Sequence, residues 1–350
     1  MPSQGPRSPF RRRRLALAAV VLSLLAGLAQ AQAGSALAHG RAALDAGDYP
    51  AAAAAFEQAR AEQGETQEIM RGLLLSYLES KRLPEAITAG QKAVERWPKD
   101  AELHLWLGLA EFQTHDAAAA KRELETALRL HPSYDVHYNL ALVYLETKQY
   151  AEAAAQLEKA VRLEPRQPLA HVLLGRAYLN SNRSLLAVRE FKTALQLDPK
   201  IPLAHYHLGF AYASLGKDQP AIVEYRTELA AQPEQPEVLY QLGHTLLESG
   251  NARAAVDPLE HATRVDAQNA DAWYELGKAR IATRDYPGAA NALRQAIALD
   301  ATDASPHYLL AQALEKAGQK DEAQQEMKRF AELKRAQKDE GGMATGRVRK

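Results

Sequence analysis

The chain of 350 residues contains no cysteine. This excludes disulfide bonds, thiolate metal sites, cysteine nucleophiles and a lipid-modified cysteine after a leader. The sequence also lacks a glycine-rich phosphate loop and the H-E-x-x-H and G-x-S-x-G motifs of two large enzyme classes. It has no sustained alternation of β-branched and polar residues, so β-strands are not indicated.

The chain also has no excess of positive or negative charge, since it contains 43 Lys and Arg residues and 43 Asp and Glu residues. A chain without a basic excess gives no sign of nucleic-acid binding. Alanine is abundant, as in the stretch "PAAAAAFEQA", and it has the highest helix propensity of all residues. The composition therefore favours a helical, folded protein.

Residues 1–33 differ from the rest of the chain. Four arginines, Arg11–Arg14, precede the apolar run Leu15–Leu28, and small residues follow with possible cleavage after Ala31 or Ala33. This order is typical of a secretory signal peptide, and the run is short for a membrane-spanning helix. We expect cleavage and a periplasmic or secreted product of mildly acidic charge with no membrane span; an anchor that is retained is the alternative.

A phrase of 13 residues returns at a fixed period through the chain. The segments "VHYNLALVYLETK", "AHVLLGRAYLNSN" and "AHYHLGFAYASLG" begin at residues 136, 170 and 204. Extending the alignment gives nine units, which start at 33, 67, 101, 134, 168, 202, 236, 270 and 304. A period of 34 residues indicates a repeat architecture in which each unit is one pair of helices.

Each position of the unit has its own chemistry. Position 7 is usually Leu, position 8 is Gly or Ala in eight of the nine units, position 20 is always Ala, position 24 is mostly large, and Pro often stands at position 32. A glycine inside a helix costs about 1 kcal/mol relative to alanine, so its recurrence indicates a close approach of helices. Glycine in the turns "AGDY", "SLGK", "ESGN" and "KAGQK" predicts the end of each first helix.

These residues resemble the tetratricopeptide repeat (TPR) family, whose pattern is W-x2-L-G-x2-Y, then A-x3-F-x2-A, then P. The unit that starts at 168 matches it at His171, Leu174, Gly175, Tyr178, Ala187, Phe191, Ala194 and Pro199. The resemblance implies an all-α, right-handed superhelical solenoid of about nine helix pairs over residues 34–337, followed by a disordered tail over 338–350. In the second unit, Leu74 and Gly90 occupy the small and large positions in reverse, which predicts an exchange of sizes.

The resemblance also implies a concave groove lined by the first helices, with position 5 facing it. Tyrosine recurs at this position, and position 9 adds a mixed, mildly basic line. The predicted groove residues are Tyr138, Arg176, Tyr206, Phe210, Tyr240, His244, Tyr274, Lys278 and Tyr308. Tyrosine combines an apolar ring with a hydroxyl group and is enriched at interfaces.

Five of the 11 histidines fall at position 4, namely His104, His137, His171, His205 and His307. We expect them to pack where the family has Trp and to bind no metal, because no carboxylate or cysteine recurs at ligand spacing. The repeats leave no room for a catalytic domain. The sequence therefore predicts a non-enzymatic scaffold without cofactors that binds a protein or peptide. The alternatives are a structural subunit of an envelope export or assembly machine, and a metal carrier that uses the histidines.

Overall fold

The computed structural model describes residues 36–346, with side chains as far as Lys338; the predicted leader lies outside the described residues. The described residues contain helices and no strand, as we predicted. They form two compact units that divide between Pro165 and Arg166. Within this part of the chain, no helix is both long and apolar enough to cross a membrane.

The first unit consists of four helix pairs. Its helices are α1 (36–45), α2 (Tyr49–Gln63), α3 (Gln67–Glu79), α4 (Leu83–Arg96), α5 (Ala101–Gln113), α6 (Ala117–Leu130), α7 (Tyr134–Glu146) and α8 (Tyr150–Leu163). Several N-termini carry side-chain caps: the Asp100 carboxylate accepts hydrogen bonds from the N–H groups of Glu102 and Leu103 at the start of α5. Such a cap stabilises a helix by about 1 kcal/mol.

The second unit consists of five helix pairs. Its helices are α9 (Pro168–Asn180), α10 (Ser184–Leu197), α11 (Ala204–Ala213), α12 (Asp218–Ala231), α13 (Pro236–Glu248), α14 (Ala252–Val265), α15 (Ala270–Ala282), α16 (Tyr286–Leu299), α17 (Ser305–Lys316) and α18 (Lys320–Gly346). Most first helices begin at the residue where the period places a repeat start. We number the repeats 1 to 9 by the predicted starts.

All nine repeats turn between their two helices through a residue with positive φ at position 15. These residues are Gly47, Lys81, His115, Lys148, Asn182, Gly216, Gly250, Arg284 and Gly318. The next N–H donates to the carbonyl at position 11, at 2.8–3.0 Å, which is the bond that closes a Schellman motif. The predicted glycine turns are confirmed, while five repeats place a side chain in this conformation.

The core of most repeats joins a small residue on the first helix to a large one on the second. A Cβ atom added to Gly175 would lie 2.6 Å from Cε1 of Phe191, and one added to Gly277 would lie 2.6 Å from Cγ of Leu293. The alanines at position 20 are buried beside these pairs. The recurrent glycines are therefore required by close packing, as the sequence indicated.

The exchange of sizes in repeat 2 is also confirmed. A Cβ atom added to Gly90 would lie 2.9 Å from Cδ1 of Leu107 and 3.3 Å from Cδ1 of Leu74. Leu74 is fully buried. The space left by the missing large side chain on α4 is filled from α3 and from the next repeat.

Helix α18 is twice as long as other second helices and continues to Gly346. Its Phe330 ring lies 5.3 Å from the ring of Tyr308, and Gln337 Nε2 donates to the carbonyl of Thr302 at 3.3 Å. The tail predicted to be disordered, 338–350, overlaps the end of this helix, and residues 347–350 lie outside the described part. Met327 at position 24 is 41% exposed, whereas the large residues at this position in earlier repeats are buried.

Candidate binding face of the second unit

The first helices of the second unit contact one another in sequence, from α9 through α11, α13 and α15 to α17. Most of their side chains at position 2 are exposed, and those at position 9 are exposed or intermediate. Position 5 ranges from buried Val172 through three half-buried tyrosines to exposed Tyr308. We call the surface that these positions form the first-helix face. It contains eight of the nine predicted groove residues; the remaining one, Tyr138, lies in the first unit, where its ring stacks on Tyr134 at 5.5 Å.

Three tyrosines of the first-helix face are half-buried. Tyr206, Tyr240 and Tyr274 are intermediate in exposure, whereas Tyr308 is 41% exposed. Burial, together with Glu275 and Asp271, raises the pKa of Tyr240 to about 12. Burial and Glu237 likewise raise the pKa of Tyr206. These hydroxyl groups therefore stay protonated and remain hydrogen-bond donors at neutral pH.

Tyr206 is the centre of an aromatic cluster. Its ring lies 5.1 Å from His207, 6.5 Å from Phe210 and 6.2 Å from Tyr225. Burial, with a smaller contribution from Arg176, lowers the pKa of His207 to about 4, so this ring is neutral at pH 7. Phe210 is 37% exposed at the edge of the cluster. The predicted residues Tyr206 and Phe210 therefore share one site, and exposed Arg176 lies near it.

A carboxylate determines where helix α11 begins. Glu228 stands at position 27, which is alanine in most repeats, and it is buried. Its oxygens accept hydrogen bonds from the N–H groups of Leu203 and Tyr206, both at 3.3 Å. Leu203 has a φ of 61° and is the N-cap residue, so the helix starts two residues after the predicted repeat start. This role of Glu228 was not predicted, although its departure from alanine is visible in the sequence.

Charged residues connect α13 to α15 on the same face. Lys278 Nζ lies 2.9 Å from Glu275 Oε2 and 3.7 Å from Glu248 Oε1. His244 stacks on Tyr240 at 6.0 Å, and its Nδ1 lies 3.5 Å from Glu275 Oε1, an ion-pair distance rather than a hydrogen bond. Burial favours a raised pKa for Glu275, but His244 and Lys278 outweigh it and hold the pKa below its usual value. In the predicted mixed, mildly basic line at position 9, Lys278 is thus paired with carboxylates, whereas Arg176 is exposed.

The position-4 histidines all bond to the second helix of their own repeat, at a residue 19 positions later. Nδ1 of His104, His171, His205 and His307 faces Glu123, Glu190, Glu224 and Glu326 at 2.6–2.8 Å, and Nδ1 of His137 faces Gln156 at 2.8 Å. Where position 4 is apolar, position 23 is Ala or Pro. The histidines tie paired helices together, and the described residues contain no cluster of three metal-ligating side chains. The fixed spacing of 19 residues was the signal that could have shown this.

Side chains at position 11 form a second set of hydrogen bonds, which connect neighbouring repeats. Tyr77 donates to Glu57 at 2.8 Å, and Arg280 donates to Glu260 at 2.6 Å; each acceptor belongs to the preceding repeat. In repeat 3 the same position holds Glu111, which is 6% exposed. Among the described residues, its Oε2 atom has no hydrogen-bond partner.

Sequence comparisons agree with this architecture. A profile described as "Tetratricopeptide repeat" matches residues 37–101, 105–168 and 240–306, a second profile of that description matches 280–339, and one described as "TPR repeat" matches 186–216. The chain belongs to the tetratricopeptide repeat family. A comparison with curated protein sequences gave no match.

Two solved structures resemble the chain over most of its length, and a third resembles about half of it. A tetratricopeptide repeat protein from Parabacteroides merdae ATCC 43184 superimposes with a TM-score of 0.52 at 16% identity, covering 71% of this chain and 98% of its own. The APC/C hetero-tetramer Cut9-Hcn1 gives a TM-score of 0.52 at 18% identity, over 76% and 52%. MamA gives 0.46 at 23% identity, over 47% and 97%. At such identities the first two likenesses support the TPR solenoid fold and nothing finer.

Proposed function

We propose that this TPR protein is a non-enzymatic scaffold that binds a peptide segment of a partner protein on the first-helix face of the second unit. The observation that carries the proposal is the exposure of large apolar side chains there: Leu169 is 50% exposed, Phe210 37% and Tyr308 41%. Side chains of this type dominate the binding energy of interfaces when a partner covers them.

Peptide-display selection tests this face and does not require an identified partner. A random peptide library is selected on the wild-type chain, and the enriched peptides are measured against a Phe210→Ala/Tyr308→Ala variant. We expect this variant to lose at least tenfold in affinity, since each truncation removes an exposed anchor. The matched control is Leu185→Ala/Val223→Ala, which truncates two exposed side chains on second helices. An equal loss in both variants, or a loss in the control alone, would argue against the first-helix face.

A second candidate function uses the second helices instead. Leu185 on α10 is 68% exposed and Val223 on α12 is 59% exposed, which makes them the most exposed large apolar side chains described. A structural subunit of an envelope export or assembly machine would bury such residues against neighbouring components. The same display experiment separates the two functions, because loss in the control variant alone favours this one.

Export to the envelope is part of the proposal and rests on the leader in residues 1–33. Mass spectrometry of the protein purified from a bacterial periplasmic fraction should show an N-terminus at Gln32 or Gly34. A full-length product that starts at Met1 and stays in the cytoplasmic fraction would contradict export.

A further inference from the structure

The first-helix face has two chemically different halves. On α9 and α11 the exposed side chains at positions 2 and 9 are Leu169, Leu203 and Phe210, with one cation, Arg176. On α13 and α15 the exposed side chains at positions 2 and 13 include Glu237, Glu248 and Asp271. An apolar half is thus followed by an acidic half along contacting helices.

The cations of the acidic half are already bound within the protein. Lys278 is held by Glu275 and Glu248, and His244 faces the same Glu275 carboxylate. Glu237 and Asp271 take part in no ion pair among the described residues. Arg280 of α15 is held by Glu260 and Asp285, and the next Lys or Arg along these first helices is Lys316, at the end of α17. The acidic half therefore keeps an excess of negative charge after its internal pairs are counted.

The tyrosines at position 5 of α11, α13 and α15 are each followed by a carboxylate near the start of the next first helix. Beside burial, a carboxylate contributes to the raised pKa of each tyrosine: Glu237 of the next repeat for Tyr206, Asp271 of the next for Tyr240, and Asp303 for Tyr274. Lys278 Nζ already lies 5.7 Å from the centroid of the Tyr274 ring, as a cation of a partner would at the other rings. An aromatic ring beside a carboxylate suits an ammonium or guanidinium group, which is attracted to the face of the ring and pairs with the acid. The arrangement repeats at the spacing of the helices.

We propose that the partner segment is a cationic peptide, with Lys or Arg side chains against α13 and α15 and apolar side chains against α9 and α11. This inference rests on the proposed function and adds the charge of the ligand. Four neighbouring helices at about 8–10 Å each span a distance that about 12 extended residues can cover. Charge complementarity of this kind accelerates association and depends on salt.

Two labelled peptides of about 12 residues test the charge by fluorescence polarisation. Both carry the same leucine-rich half; the other half carries Lys and Arg in one peptide and Glu in the other. We expect the cationic peptide to bind at least tenfold more tightly at low salt, and the difference to shrink several-fold in 0.5 M salt. Equal binding of both peptides, tighter binding of the acidic one, or no binding of either would overturn the proposal.

A matched pair of variants tests which carboxylates bind the cationic peptide. Glu237→Gln/Asp271→Asn should weaken the cationic peptide at least fivefold, whereas Asp257→Asn/Asp321→Asn removes two carboxylates from second helices and should leave affinity unchanged. Glu237 and Asp271 lie in the first turns of their helices, where acids also stabilise the dipole. Melting curves therefore accompany the titrations, and equal weakening by both variants would overturn the assignment.

The peptide-display and peptide-binding experiments together distinguish a wrong ligand charge from a wrong binding site. If displayed peptides lose affinity for Phe210→Ala/Tyr308→Ala but show no preference for Lys and Arg, the peptide-binding function stands and the cationic ligand is wrong. If the Phe210→Ala/Tyr308→Ala variant binds displayed peptides normally, the site itself is wrong.

Discussion

Glu111 offers the sharpest test of how the repeats pack, because it is a buried carboxyl group at a position that most often holds tyrosine. Burial, together with Glu123 and Asp116, raises its pKa from 4.5 to about 7. An acid with a raised pKa stabilises the fold fully below its unfolded pKa and loses that contribution as pH rises through the folded value. Each pKa unit corresponds to about 1.4 kcal/mol, so the free energy of unfolding should fall by about 3 kcal/mol between pH 4.5 and pH 8.

Glu111→Gln removes this ionisation and keeps the shape of the side chain. We expect the variant to exceed the wild type by less than about 1 kcal/mol in urea unfolding at pH 5 and by up to about 3 kcal/mol at pH 8. Repeat arrays can unfold in parts, so hydrogen exchange of the α5 amides gives a local measure beside the global curve. Glu95→Gln, at a more accessible site on α4, is the control. The same difference between variant and wild type at both pH values would refute the reasoning.

Three further predictions concern packing, pairing and turns. Gly175→Ala should lower the free energy of unfolding by about 1–3 kcal/mol in urea, and Phe191→Leu in the same chain should recover part of the loss, because repeat 4 already holds that Ala–Leu pair. His171→Met removes one partner of the buried Glu190 carboxylate, which keeps Arg189 at 3.1 Å, and should cost about 1–3 kcal/mol, whereas His171→Met/Glu190→Ala recreates the pair of repeat 2 and should cost less; equal losses would contradict the pairing. Lys148→Gly should raise the melting temperature, since glycine relieves a φ of 57° at a gain of up to about 1 kcal/mol, and Lys148→Ala should not.

The repeat period predicted the fold well because each helix pair is a local structure with a strong pattern. Leu at position 7, Gly at position 8 and Ala at position 20 specify which faces pack, and the structure places Gly175 against Phe191 and Gly90 beneath Leu74 as expected. Proline and glycine marked the turns for the same reason, since each acts on the backbone of its own neighbourhood.

The contacts between helices were harder to predict, because the two partners are far apart in sequence and only one of them stands out. The five histidines at position 4 were visible, but their acceptors at position 23 looked like ordinary surface residues. The neutralisation of Lys278 by Glu248 and Glu275 depends on two helices being adjacent, and the sequence alone suggested a basic line instead. The groove assignment stays a prediction, since burial alone does not show what binds there.

Departures from the repeat pattern are unevenly placed, and their position is informative. In an array where each repeat contacts only its neighbours, a polar residue in a core position destabilises the fold locally, and the loss is tolerated where it serves another purpose. Glu228 delays the start of α11, and Glu275 holds a cation inside the layer of first helices. Both act on side chains of the first-helix face, around Tyr206 and Tyr240. The departure from alanine at Glu228 therefore lies beside the surface that we propose to bind the partner. If Glu228→Ala lets α11 begin at Pro202 and leaves the affinity of displayed peptides unchanged, this coincidence has no functional meaning.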